Sequence, residues 1–314
     1  IEDAALDNND IFQCENSGVG FSSSIINLST SNGFEGKNHK SNFQLFCSSI
    51  AKNKNGMERD YCFENRVFFK DLPSSKYIGN LASKRAAERL DSQKPPTGKF
   101  PVIFDERVSS SLISHLLSAI NGASISRGSS WLLNDLNKQI LPENLTLTEE
   151  PLRTSMYNST LFDGEGLPKQ NINFIENGYL KTWILDLYSS RKLKMAPTSN
   201  ASFSVGSPPV PTITNIKLTN GKSSQLDLIK DINKGLLVTS LIGSTVNPLT
   251  GDYSRGASGF WIENGTISYP VNECTIAGNL REMFKNILPC NDAKDTKSYM
   301  VPSILVESLT IGGV

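Results

Sequence analysis

The sequence predicts an α+β protein, in which a small sheet-and-helix domain is followed by a larger, mostly antiparallel β domain with inserted helices. Three observations support this. At 314 residues the chain is roughly twice the usual domain size. Six Asn-Gly pairs occur along it, and this dipeptide favours hairpin turns between antiparallel strands. A Pro/Gly cluster, Pro95-Pro96-Thr97-Gly98, predicts a boundary between domains at residues 1–94 and 95–314.

The first domain has the pattern of three strands and one helix. Gly20–Asn32, Asn42–Ala51 and Met57–Phe69 are strand-like segments separated by Asn-Gly turns. Ile78–Leu90 then carries apolar residues at helical spacing, with Ser74 or Ser75 as its cap. The chain opens with Ile1 in what resembles a helix end, so we expect a further N-terminal portion, another α/β segment, before this one.

The second domain begins with a strand and a helix and then turns mainly to strands. We predict, in order, a strand at Phe100–Phe104, helices at Glu106–Ile120 and Trp131–Ile140, a hairpin at Asn171–Leu185, a helix at Leu185–Leu193, a long loop at Asn200–Pro211, a helix at Ser224–Lys234, a strand at Leu236–Ile242, a hairpin at Tyr253–Tyr269, a helix at Gly278–Asn286 and a strand at Ser303–Ile311.

Composition narrows the function classes. Lys plus Arg and Asp plus Glu both number 31, so no net charge draws the chain to nucleic acid or to an anionic membrane. No apolar run reaches the length of a membrane span. The five cysteines contain no C-x-x-C pair, which is typical of a reducing compartment and predicts a cytoplasmic protein.

A search for catalytic motifs finds no complete site and predicts no cofactor. A catalytic zinc usually needs three protein ligands, whereas the two histidines, His39 and His115, fall in different predicted domains. The nucleophile elbow G-x-S-x-G is absent. Gly221-Lys222-Ser223 lacks the earlier glycine of a phosphate loop. Asp163 and Glu165 could bind a cation or act as acid and base, but a simple turn is the favoured interpretation.

The stretch Gly251–Gly259 is the most unusual part of the sequence. Its small residues would let another backbone approach, and Arg255 could bind a carboxylate. The competing interpretation is a flexible loop that enters a strand. If the first holds, its exposed amides would pair with a peptide or a partner strand. The predicted contact residues are Asp252, Tyr253, Ser254, Arg255, Gly256 and Gly259.

At this stretch the sequence resembles the TldD/PmbA family, and within it the PmbA branch, also called TldE. The segment Gly251–Gly265, with Tyr269-Pro270-Val271 and Thr275–Leu280 after it, carries the specific part of the resemblance. The other similar segments are Ser31–Phe34, Arg59–Tyr61, Phe162–Gly166, Ile175–Gly178 and Ser189–Leu193. The resemblance therefore covers nearly the whole chain.

The resemblance implies a degenerate metal site. TldD-like members are zinc metalloproteases with an H-E-x-x-x-H helix, which corresponds to the helix predicted here after Glu106. His115 takes the first histidine position, Leu116 stands at the glutamate and Ile120 at the second histidine. The PmbA branch is separated from the TldD branch at these positions. From the resemblance, as from the motif search, we expect no zinc and no catalytic residue, with His115 only a packed helix residue.

The resemblance also implies a partner. PmbA-like proteins pair with TldD-like proteases in a peptidase for unfolded or short peptides, and the older family name is modulator of DNA gyrase. We therefore expect a non-catalytic subunit of a cytoplasmic TldD–TldE zinc peptidase complex, with peptides as substrates and no direct nucleic-acid or membrane binding. The alternative is a stand-alone homodimer that binds peptides or acts as a scaffold.

Overall fold

The computed structural model describes the backbone of residues 1–314 and every side chain except that of Ser244. The helices are α1 (Glu2–Leu6), α2 (Ser75–Ala87), α3 (Glu106–Ala119), α4 (Gly122–Ser126), α5 (Leu187–Leu193), α6 (Gln225–Lys230) and α7 (Leu280–Lys285). The strands are β1 (Ile11–Ser29), β2 (Glu35–Lys52), β3 (Met57–Arg66), β4 (Gly98–Phe104), β5 (Leu147–Glu149), β6 (Ile172–Glu176), β7 (Tyr179–Leu180), β8 (Ala201–Ser204), β9 (Ser207–Pro211), β10 (Ile216–Leu218), β11 (Lys234–Val246), β12 (Asp252–Glu263), β13 (Thr266–Asn279), β14 (Ile287–Pro289), β15 (Tyr299–Met300) and β16 (Ile304–Gly312).

Residues 1–94, the first region, form a three-stranded antiparallel sheet in the order β1-β2-β3. Helices α1 and α2 pack on it around Leu45, Cys47 and Ile78, a small apolar core of its own. The predicted cap of α2 is confirmed, because the Ser74 hydroxyl accepts a hydrogen bond from the amide of Tyr77.

Residues 95–314, the second region, are built on a six-stranded sheet in the order β13-β12-β11-β4-β16-β14. Only the β4–β11 pair in it is parallel, and β13 also pairs with β16, which closes the sheet on itself. A second sheet has the order β15-β10-β5-β6-β7. The predicted α+β class is therefore confirmed. The boundary at residue 94 stays a prediction.

Helix α3 follows β4 directly and lies against β11. Its apolar residues recur at helical spacing, and Leu112, Leu116 and Ile120 are fully buried in the main core. Asp105 caps the helix by accepting a hydrogen bond from the amide of Arg107. The same helix therefore supports the core and presents His115 toward β12. Among the described helices, none has both the length and the apolar character that crossing a membrane requires.

Two predicted elements are wrong. Trp131–Ile140 is a series of turns rather than a helix, because the amides of Asn137 and Ile140 donate to the carbonyls of Leu180 and Gly178. Asn200–Pro211 is not a loop, since β8 and β9 form a short hairpin there around Gly206, whose φ is +81°.

A third prediction is wrong only in its boundary. The helix predicted at Ser224–Lys234 starts with a capping box of Ser224 and Asp227, but it ends at Lys230. Lys234 already belongs to β11, where it pairs with Glu263. Gly235 is therefore a strand residue and does not end the helix.

Candidate functional site

The segment that the sequence singles out is not a loop. From Asp252 onward it is the first part of β12, an inner strand with β11 on one side and β13 on the other. Gly256 lies opposite Ile242 and Thr275, in the two neighbouring strands. The expectation that the amides around Gly256 and Gly259 are open to a partner strand is therefore wrong, because this chain's own strands flank them.

The glycines serve the packing of this sheet. A Cβ built on Gly259 would lie 1.9 Å from the carbonyl oxygen of Leu237, so the strand tolerates no side chain there. A Cβ on Gly256 would meet Ile242 at 3.4 Å, which is close to ordinary contact. Only Gly259 is thus required by the close approach of the two backbones.

Alternation along β12 directs Tyr253 and Arg255 toward α3, where Ser111 and His115 lie one helical turn apart. We call these four residues the open site. The His115 and Tyr253 rings meet edge to face, with centroids 5.8 Å apart. Arg255 Nη1 donates to the Ser111 hydroxyl at 3.3 Å. Ser111 and Arg255, 144 positions apart in sequence, thus converge with His115 and Tyr253 on one place.

Hydrogen bonding in the open site is incomplete. His115 Nε2, the Tyr253 hydroxyl and Arg255 Nε are all buried, and none has a hydrogen-bond partner within the described part of the chain. Buried polar atoms are nearly always paired in folded proteins, since an unpaired one is destabilising. Three such atoms side by side mark a place where the chain alone does not complete its own contacts.

The open site carries one positive charge. Burial, and then the charge of Arg255, lowers the pKa of His115 below 6.5, so its imidazole is neutral at pH 7. Burial raises the pKa of Tyr253 to about 12, although the guanidinium of Arg255 acts in the opposite direction. Arg255 stays charged, and no carboxylate forms an ion pair with it among the described side chains.

Asp252 and Ser254 point away from α3 and are exposed. Asp252 accepts hydrogen bonds from the Thr250 hydroxyl and from Asn279 Nδ2, and these bonds lower its pKa. The contact residues predicted on β12 are therefore divided between the two faces of the strand. Only Tyr253 and Arg255 belong to the open site.

The two carboxylates at Asp163 and Glu165 have structural partners. Asp163 is buried and accepts hydrogen bonds from the amides of Glu165, Leu167 and Ala201. Glu165 accepts one from the amide of Leu187. These contacts close a turn against β8 and the start of α5, which favours the turn interpretation over acid–base chemistry.

A second charged cluster was missed by the sequence analysis. Asp60 on β3 pairs with Arg107 on α3 and with Arg89, which follows α2. Arg89 also pairs with Glu58 at 3.5 Å and donates to the Ser258 hydroxyl on β12 at 2.8 Å. We call these five residues the junction cluster, because they join the first region to the second. Partners up to 169 residues apart leave no local signal in a sequence.

Comparison with known proteins identifies the family to which the two regions belong. Family models match the chain over residues 1–90, as the PmbA/TldA metallopeptidase central domain, and over residues 97–313, as its C-terminal domain. The chain belongs to the PmbA/TldD family. The metalloprotease PmbA of Escherichia coli O157:H7 is 40% identical over 265 residues, which are 84% of this chain and 57% of that protein.

The TldD branch is more distant. A metalloprotease TldD homologue of Buchnera aphidicola is 28% identical over 281 residues, which are 82% of this chain and 57% of that protein. A crystal structure from Bacteroides thetaiotaomicron, described as a modulator of DNA gyrase, superposes with a TM-score of 0.90 at 29% identity and covers 99% of this chain and 70% of that one. The PmbA branch expected from the resemblance is thus confirmed. The chain spans less than two thirds of the length of the PmbA and TldD relatives.

The matching family models describe a metallopeptidase, which implies a metal, and zinc is the metal that the resemblance suggests. Within the described side chains, no group of three or more His, Cys, Asp and Glu residues is placed to share a metal ion. Leu116 and Ile120 are fully buried apolar side chains, and His115 Nε2 faces a site that carries the charge of Arg255. A cation site needs several anionic or lone-pair donors, and this one has a positive charge instead. The residues therefore do not fit zinc.

Proposed function

We propose that this chain is a non-catalytic subunit of a TldD–TldE zinc peptidase complex that acts on unfolded or short peptides. The observation that carries the proposal is the burial of two apolar side chains, Leu116 and Ile120, beside His115. By the resemblance, α3 corresponds to the helix that bears the zinc motif in TldD-like members, and here Leu116 and Ile120 fill the core at the positions of the base and of one ligand. Catalysis would then belong to a partner that retains the motif.

The proposal extends to the contacts of the subunit. Tyr253 and Arg255 would contact a peptide beside α3, and Asp252 and Ser254 would contact the peptide or the partner from the exposed face of β12. Gly256 and Gly259 lie against neighbouring strands, so their contribution would be to hold β12 in position. No direct contact with nucleic acid or with a membrane is part of this proposal.

A cytoplasmic location is part of the same proposal. All five cysteines are free, and four of them are buried. Burial raises the pKa of Cys274 to about 11 and that of Cys290 to about 12, which keeps these thiols protonated and poorly reactive. Such thiols behave as small core side chains and suit a reducing compartment.

The experiment is reconstitution. The chain, in its full-length protein, is co-expressed with a TldD-like protein from the same genome, and each is also purified alone. We expect a 1:1 complex on size exclusion that cleaves an unfolded peptide, and no cleavage by this chain alone. Substitution of the partner's H-E-x-x-x-H glutamate by Gln should abolish activity. Cleavage by this chain alone, resistant to chelators, would contradict the proposal.

The same experiment tests the alternative, a stand-alone homodimer that binds peptides. A homodimer that persists when the TldD-like protein is added in excess, and that binds but does not cleave peptides, would favour it. A matched control is Arg59→Gln, because Arg59 forms an exposed pair with Glu15 within the first region. This variant should assemble and support cleavage like the wild type.

A further inference from the structure

Arg255 is a partly exposed arginine that forms no ion pair within the described side chains. Arg85 has no counter-ion either, but it donates to the carbonyl of Tyr61 and, unlike Arg255, has no buried nitrogen without a partner. Arg66, Arg89, Arg107 and Arg153 are also poorly exposed, and each of them forms an ion pair with a carboxylate of this chain. Arg255 has none within the described side chains, and its one side-chain hydrogen bond runs to Ser111. A guanidinium partly withdrawn from water without a counter-ion is destabilising, so its place between α3 and β12 requires an explanation.

The free edge of Arg255 is the one suited to an anion. Nη1 faces Ser111, while Nε has no partner. The N–H groups of Nε and Nη2 point in one direction, and this edge holds a carboxylate through two parallel hydrogen bonds. The Tyr253 hydroxyl, in a residue only 2% exposed, lies close to Arg255, and its proton is donated to no atom within the described part of the chain. Both Arg255 and His115 keep part of their surface exposed, so the site lies at the margin of the core.

We propose that the open site binds a carboxylate of a peptide, held by the Nε–Nη2 edge of Arg255 and by the hydroxyl of Tyr253. His115 Nε2 completes the site, as an imidazole that lies beside the carboxylate without a charge of its own. The single positive charge matches a monoanion and selects against a metal cation. The peptide part of this inference rests on the proposed function, whereas the carboxylate part rests on the site alone.

The experiment compares peptides that differ only in one charge. Acetyl-tetraalanine with a free C-terminal carboxylate and the same peptide with a C-terminal amide are titrated into the purified chain by calorimetry. We expect the acid to bind at least about tenfold more tightly than the amide, as charge-assisted bidentate hydrogen bonds do. Equal affinity of acid and amide for the wild-type chain would overturn the proposal, whatever the variants do.

Two further probes identify the source of the carboxylate. A C-terminally amidated acetyl peptide with one Glu is compared with the same peptide carrying Gln. Preference for the free terminus alone assigns a terminal carboxylate, and preference for Glu over Gln assigns a side chain; either result supports the proposal. Sodium acetate is titrated as well. Acetate that binds as tightly as the peptide acid would overturn the assignment to a peptide.

Substitutions at Arg255 and Tyr253 show whether these residues bind the carboxylate. Arg255→Gln should lose the preference for the acid, and Tyr253→Phe should reduce it several-fold. Arg255→Lys keeps the positive charge but lacks the two parallel N–H donors of a guanidinium, so an intermediate preference for the acid is expected. Arg66→Gln is the matched control, since Arg66 is comparably buried but paired with Glu64, and it should bind like the wild type. Full preference in a folded Arg255→Gln would overturn the proposal. Binding is measured without any TldD-like protein, so failure to assemble and failure to bind are separate results.

Discussion

Strand β12 contributes to two arginine clusters of opposite character. On one face, Ser258 joins the junction cluster, where Arg89 and Arg107 meet the carboxylates of Glu58 and Asp60. On the other face, Arg255 faces α3 and meets no carboxylate within the described side chains. The same residue type is paired with carboxylates in one place and has no counter-ion in the other.

The difference separates a structural from a functional use of charge. Removing one partner of a buried pair leaves an uncompensated charge, so a paired cluster holds its members in place once it has formed. The junction cluster can therefore fix the first region against the second. A guanidinium without a counter-ion gives no such stabilisation, and in the binding proposed for Arg255 its energy would be lowered when a carboxylate arrives. Substitutions at the two clusters should accordingly affect different properties of the protein.

The largest effect is expected at Asp60, the centre of the junction cluster. Asp60→Asn leaves Arg89 and Arg107 without their shared carboxylate, and breaking a buried pair from one side costs about 3–5 kcal/mol. Urea denaturation measures this as a lower midpoint. Glu15→Gln removes an exposed carboxylate from Arg59 and is the control, with no measurable change expected. A stability loss at Asp60 no greater than at Glu15 would contradict the structural role of the junction cluster.

A smaller effect is expected where β12 itself is held. Gly259→Ala places a methyl group against the Leu237 carbonyl, and overpacking of this kind costs about 2–3 kcal/mol. Gly256→Ala meets only ordinary contacts, so its stability should be unchanged or higher by up to ~1 kcal/mol. Thermal unfolding of the two variants side by side gives the difference. Equal losses of stability in the two variants would mean that β12 tolerates no side chain at either glycine, and that the close approach of Gly259 to Leu237 is not the cause.

Arg255→Gln should change stability by less than about 1 kcal/mol, because no ion pair is lost and a poorly solvated charge is removed. Peptide cleavage by the reconstituted complex should nevertheless fall. Measuring unfolding and turnover in parallel therefore distinguishes Arg255→Gln, which should lose activity, from Asp60→Asn, which should lose stability. A variant at Arg255 as unstable as the one at Asp60 would assign both clusters to structure.

The sequence predicted local features well, for physical reasons. Hairpins at Asn177-Gly178 and Asn264-Gly265 depend on residues that adopt positive φ, and both asparagines do so, with φ of +49°. The Ser224–Asp227 capping box likewise involves residues three positions apart. Such interactions are complete within a few residues of chain.

What the sequence did not predict depends on distant partners. The small residues around Gly256 and Gly259 resemble those of a loop, and only the pairing with both β11 and β13 shows that they belong to an inner strand. The open site was predicted in parts, as a histidine on a helix and an arginine among glycines. Its three unpaired atoms became visible only when α3 and β12 were brought together.

The smallest effect is expected at His115, and it depends on pH. In the folded chain burial, and then the charge of Arg255, lowers the pKa of His115 below the value of 6.5 that the unfolded chain has. Between the two values the unfolded chain binds more protons. The stability that neutral His115 provides is therefore complete above about pH 6.5 and is lost as the pH falls through the folded pKa.

His115→Gln cannot titrate at this position, so the wild type should lose more stability than the variant when the pH is lowered from about 7 to about 5. At pH 7 the cost of the substitution should be small, because Nε2 has no hydrogen bond to lose. Arg255→Gln removes the second cause of the lowered pKa, so His115 should titrate nearer 6.5 and the pH effect should shrink. Urea midpoints across this range, together with NMR titration of the imidazole protons, measure both. Parallel pH profiles for wild type and His115→Gln would show that neither burial nor Arg255 lowers the pKa of His115. Arg255 would then be no different from a solvated surface arginine.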